Sequence, residues 1–229
     1  GDKKFEVKVL SILRSNFKMI GKFDEAAKYG NEGLAIAQQS DLFRETLEAF
    51  EGLEQIFRCK GDYPTALGIN QEMLAIAQKA ERYRSVAYHS FLCHKNFSSM
   101  GKFNEAIDSL TQSLQRYREL KHVTWEGIIL SYLAVCHFSL GHIEKALSLI
   151  EGALQISKKS TDKRLSIPVL SNQSQILIGI GKYQDAAIIL ETVMVDVMER
   201  GNMAGQELHE SCLNYSLICL IFDEPDKSL

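Results

Sequence analysis

The chain is poor in the residues that interrupt helices or staple a fold. Its 229 residues include three prolines, one tryptophan and five cysteines, with no CxxC pair among the cysteines. So little proline leaves long stretches free to be helical, and the common residues are good helix formers. Cys59, Cys93, Cys136, Cys212 and Cys219 all fall inside apolar helical patterns. A free thiol there behaves as a small buried hydrophobe, and a reducing, cytoplasmic compartment is the natural expectation. No apolar run is long enough to span a bilayer, and the first residues lack the apolar stretch of a secretory signal. A formal net charge of -3 gives no bulk pull toward nucleic acid or anionic lipid. What is present, 45% hydrophobic and 24% charged residues, is the balance of a folded protein rather than a disordered one.

A repeat runs through the whole chain. The segments GKFDEAA at 21–27, GDYPTAL at 61–67, GKFNEAI at 101–107, GHIEKAL at 141–147 and GKYQDAA at 181–187 align without insertion. Their glycines, Gly21, Gly61, Gly101, Gly141 and Gly181, lie 40 residues apart. Five places after each comes an alanine: Ala26, Ala66, Ala106, Ala146 and Ala186. The glycine suits a helix end at positive φ, which a residue without Cβ adopts freely. The alanine suits a close approach of two helix backbones. Between glycines the apolar spacing is helical: Leu10, Leu13 and Phe17 recur as Phe50, Leu53 and Phe57, and then as Leu130, Leu133 and His137. Each unit is therefore two antiparallel helices. The first helices are expected at 5–19, 43–59, 83–99, 123–139 and 166–179, and the second at 23–39, 63–79, 103–119, 143–158 and 183–199. An eleventh is expected at 204–221.

The Gly-x-aromatic-x-x-Ala turn between two helices resembles the tetratricopeptide repeat, and the 40-residue period resembles its elongated subclass. That subclass is found in Leu-Gly-Asn repeat proteins, kinesin light chains and bacterial signalling proteins. The resemblance covers essentially the whole chain. It implies an all-α, right-handed superhelical α-solenoid of antiparallel helix pairs, with about 11 helices in one domain over 1–229. The repeats would be 3–41, 42–81, 82–121, 122–161 and 162–201, with a partial sixth over 202–229. The first-helix column that is usually small in that family reads Arg14, Glu54, His94, Ala134 and Ser174 here. The apolar run from Leu217 to Phe222 has no polar cap, the expected mark of a piece cut from a longer protein or of an end that packs on another molecule.

Chemistry is thinly represented. Gly179, Gly181 and Lys182 are followed by Tyr183, where a phosphate loop needs Ser or Thr. His89 with Cys93, and His209 with Cys212, have ligand-like spacing, but two ligands do not make a zinc site. No base and orienting group accompany any cysteine. The expectation is no enzyme, no catalytic residue, no cofactor and no metal.

The resemblance implies that first helices line a concave groove. The stripe opposite their core faces includes Lys8, Lys18, Arg44, Gln55, Arg58, Arg84, Tyr88, Phe91, Lys95 and Phe138, the candidate binding residues. Over its 25 positions, Arg164 and Ser131 among them, eight are basic and two acidic. Two explanations stand side by side. The recurring Arg44, Arg84 and Arg164 bridge acidic neighbours and hold repeats together, or the groove takes an acidic or phosphorylated segment with an apolar anchor. The expected function is a protein-interaction scaffold that binds a protein or peptide, without nucleic-acid binding or membrane insertion. Two alternatives are a sensory segment of a larger signalling protein and an architectural element that self-associates through its C-terminal helix.

Overall fold

The computed structural model describes residues 2–160, 162, 165–200 and 213–216. Among these residues there are ten helices and no strand. The first helices of the repeats are α1 (Lys3–Met19), α3 (Phe43–Cys59), α5 (Tyr83–Ser99), α7 (Val123–Ser139) and α9 (Ser166–Gly179). The second helices are α2 (Phe23–Gln39), α4 (Tyr63–Lys79), α6 (Phe103–Glu119), α8 (Ile143–Lys159) and α10 (Tyr183–Arg200). The helix bounds expected from the 40-residue period agree with these to within two residues. Residues 213–216 are helical and place Tyr215 against Ala186 and Leu190. The remainder of the eleventh helix, the apolar run from Leu217 to Phe222 and Arg164 lie outside the described residues.

Contacts gather into two compact units, residues 1–113 and 114–229, divided within α6. In the first unit each helix from α1 to α5 packs on the next, and α1 also lies against α3. In the second, α7, α8, α9 and α10 pack in sequence, and α7 also lies against α9. Ala26, Ala66, Ala106, Ala146 and Ala186 are all fully buried where the helices close on one another. The second unit has a core of Ala134, Ile150, Ala153, Leu154, Leu165, Val169 and Ile176.

The turns explain the spacing. At Gly21 the amide of Lys22 donates to the Phe17 carbonyl and that of Gly21 to the Lys18 carbonyl, closing the helix through a left-handed residue at φ 76°. The same pair of bonds closes α3, α5, α7 and α9 at glycines with φ between 72° and 80°. It also closes α2, α4 and α6, where Asp41, Glu81 and Lys121 take φ of 52–53° without being glycine. At the equivalent place after α8 the sequence has Thr161, whose β-branch disfavours that conformation. Ser160 there turns extended and α9 starts only at Ser166, with Pro168 in its first turn, where no N–H is needed.

A Cβ at Gly101 would meet nothing within 4 Å, so any penalty for adding one comes from the backbone alone. Gly101→Ala is expected to destabilise the chain by about 1 kcal/mol, and Lys121→Gly to stabilise it by a smaller amount. Chemical denaturation of the two variants checks the pair of opposite signs.

Candidate functional site

The first helices of repeats one and two form the walls of a cleft of about 260 Å³, with α2 as its floor. From α1 come Lys4, Val7, Lys8, Ser11 and Arg14, and from α3 come Arg44, Glu45, Glu48 and Ala49. The floor is Tyr29, Gly30 and Gly33. Lys8 and Arg44 of the sequence-derived stripe therefore meet here.

Most of the cations around the cleft are already engaged. Lys4 Nζ lies 3.0 Å from Glu45 Oε1, bridging the first two repeats. Arg44 Nε lies 2.8 Å from Glu48 Oε1, one turn along its own helix, so this arginine joins no second repeat. That pair is exposed, and an exposed pair one turn apart on a helix adds little to stability. Lys18 donates to Gln55 Oε1 at 2.7 Å. Lys8 and Arg84 are exposed and make no ion pair among the described residues.

The rest of the stripe is more enclosed. Arg58 is mostly covered and lies 3.4 Å from the buried Glu54 carboxylate, which also accepts from Asn96 Nδ2 at 3.0 Å. Tyr88 is half-buried; burial, then the carboxylates of Glu51 and Glu54, pushes its phenol up to about 12. Lys95 is half-buried and engaged. Phe91 is interior, 4% exposed, with its ring 4.5 Å from that of His94. Ser131 is fully buried and accepts from Asn172 Nδ2 of α9 at 2.9 Å. Phe138 of α7 packs against α9, its ring occupying the space a Cβ on Gly179 would need. The stripe is thus a solvent-facing wall in repeats one and two, and increasingly a helix–helix seam in α5 and α7.

Three large polar residues stand in the column usually held by small ones. Arg14 is half-buried, and burial lowers its pKa against the opposing pull of Glu48 and Glu51. Glu54 and His94 are buried. Burial holds the His94 imidazole neutral down to about 3, with its Nδ1 hydrogen-bonded to the Phe91 carbonyl. Burial also lowers His89 to about 4. The Cys93 thiol is pushed up to about 11 by burial and by Glu54, which keeps it protonated and a poor nucleophile. Among the described residues no three His, Cys, Asp or Glu side chains gather as metal ligands, and no helix is long and apolar enough to cross a membrane.

Sequence reasoning missed Arg14, Gly30 and Gly33 as parts of one place. The signal was in the columns. Gly30 aligns with Asn70, Leu110, Ile150 and Leu190, so repeat one lacks volume there that every other repeat possesses; Gly33 aligns with Met73, Ser113, Ala153 and Val193, a column of mixed size.

No protein-family model and no curated sequence matches the chain. Its structure is similar to apo RapI, with a TM-score of 0.66 and 16% identity over 99% of this chain and 86% of that one. It is similar to the nearly identical TPR-like repeats of a Podosopora anserina putative kinesin light chain, with a TM-score of 0.62 and 17% identity over 86% and 97% of the two chains. A Rap protein complexed with Competence and Sporulation Factor matches with a TM-score of 0.62 and 13% identity over 98% and 66%. With ten helices among the described residues, paired through a recurring glycine turn, and these likenesses in three dimensions, the chain has the fold of a tetratricopeptide-repeat-like solenoid.

Proposed function

We propose that the chain is a non-enzymatic protein-interaction module that holds an extended segment of a partner along its first helices, with an acidic residue at repeat one. The observation that carries this is the cleft between α1 and α3, where cations outnumber carboxylates on a protein whose net charge is negative. A half-enclosed, positively biased cleft suits an anionic segment better than an apolar one. The likeness of fold to a Rap protein solved with Competence and Sporulation Factor is consistent with such a role. The Cys93 thiol, kept protonated by burial, also argues against nucleophilic catalysis at that position.

A random-peptide display library selected against the chain tests the reading. Selected sequences should be rich in Asp and Glu, and Lys8→Glu with Arg84→Glu should lower their affinity at least tenfold, with the helix signal unchanged. Both positions are exposed, so the fold tolerates the change. Selections without acidic bias, or affinity indifferent to the double reversal, would overturn the reading.

A further inference from the structure

We infer that Arg14, set in a slot lined by glycines and reached past Lys8, seats a carboxylate of the bound segment at the floor of the α1–α3 cleft. This rests on the interaction role proposed above and specifies the chemistry of its anchor.

The slot is an alteration of the repeat, visible in its columns. A Cβ on Gly52 would lie 2.1 Å from Arg14 Cζ; one on Gly30 would lie 2.7 Å from Leu53 Cδ2 and 3.4 Å from Arg14 Cδ, so Gly30 makes room chiefly for Leu53. Gly52 thus leaves the room that the guanidinium fills. Where repeats four and five put Ala134 and Ser174, repeat one has an arginine, and Gly52 of the next first helix has no side chain beside it. Gly33 differs: a Cβ there would meet Leu10 at an ordinary 3.6 Å. Its missing side chain is therefore not demanded by packing, and it leaves the cleft floor open.

The guanidinium is held but not neutralised. It donates to the Glu48 carbonyl at 3.2 Å and to Ser11 Oγ at 3.0 Å, and it makes no ion pair among the described residues. Five donors on a planar fork match an oxyanion in two-point fashion, and a half-buried cation gains more from such a partner than an exposed one. The cleft lining carries four cations, Lys4, Lys8, Arg14 and Arg44, against Glu45 and Glu48, a surplus of two. Glu51, which also acts on Arg14 electrostatically, reduces that to one. One surplus charge fits a carboxylate better than a phosphate dianion. The volume of about 260 Å³ is just below the roughly 300–1,000 Å³ of pockets for drug-sized ligands, enough for a single acidic residue.

The test is an NMR titration of the whole chain, read at the Gly30 and Gly33 amides. Three probes separate the sources of the anion: N-acetylglutamic acid α-amide for a side-chain carboxylate, N-acetylalanine for a chain terminus, and inorganic phosphate. Saturable shifts are expected with one of the carboxylates, at least tenfold weaker for phosphate. Arg14→Gln should abolish them. Gly33→Leu, which fills the cleft but keeps Arg14, should abolish them too, and it keeps the inference testable if Arg14→Gln fails to fold. Shifts with phosphate alone, shifts that survive in Gly33→Leu, or no saturable shift with any probe would overturn the seat. If library-selected peptides bind Arg14→Gln and the parent chain equally, only this inference falls and the interaction role stands.

Discussion

Acidification from pH 7 to pH 4 is expected to melt residues 1–113 before it disturbs the surroundings of Trp125. His89 and His94 are 1% and 2% exposed, and in the folded chain they titrate at about 4 and about 3, burial being the main cause for each. A free imidazole titrates near 6.5. Between those values the unfolded chain binds more protons than the folded one, so the stability present at neutral pH drains away as the pH falls below about 6.5. Lys95 adds to the cost of charging His94. Each pKa unit is about 1.36 kcal/mol, so the two imidazoles together put several kcal/mol at stake, a large share of the roughly 5–15 kcal/mol that holds a typical domain. Far-ultraviolet circular dichroism follows all the helices. The single tryptophan, Trp125, stacks on Tyr117 in the other unit, so its fluorescence should change later. The repeat supplies the control. His89→Ile and His94→Ser borrow the residues found at Ile129 and Ser174, and together they should move the acid midpoint down. An unchanged midpoint would mean that these histidines are not what acid attacks.

Asn70→Leu is expected to raise stability by about 2 kcal/mol. Asn70 is fully buried in α4, and neither end of its carboxamide has a hydrogen-bond partner among the described residues. An amide buried in that state costs about 1–3 kcal/mol, and an apolar residue of similar size removes the penalty while adding buried apolar surface. In repeats three to five the same column holds Leu110, Ile150 and Leu190, all nearly or wholly inaccessible, so an apolar side chain suits the position there, while repeat one has Gly30. Equilibrium denaturation in urea decides the matter. A variant less stable than the parent would show that Asn70 has a partner or a bound water there, and that the column comparison misleads.

The fold was largely written in one periodicity. Five glycines at a constant 40-residue interval located half of the turns, and the apolar spacing between them located the helices. The other turns carried no comparable mark, because Asp41, Glu81 and Lys121 accept a left-handed backbone without being the residues that advertise it. Only the helical apolar spacing on either side pointed to them. The site was less legible. Helical periodicity says which residues share a face, but not how far the next first helix covers that face. Phe91 and Ser131 accordingly lie on the expected stripe and yet in the interior, Ser131 bonded across to Asn172 of α9. Arg14 was visible as a departure from its column, but not as part of a cleft. Recognising it needed the missing volume at Gly30, which only a comparison down the columns, or the coordinates, supplies.

The most direct measurement of the central claim is an amide-by-amide map of where a library-selected acidic peptide binds the whole chain in solution. The account predicts shifts concentrated on Ser11, Gly30, Gly33 and Ala49 around the α1–α3 cleft, weakened by salt as an exposed ionic contact must be. Shifts centred instead on a second hollow of this unit, between α4 and α6 at Gln71, Ser109 and Gln112, would contradict it.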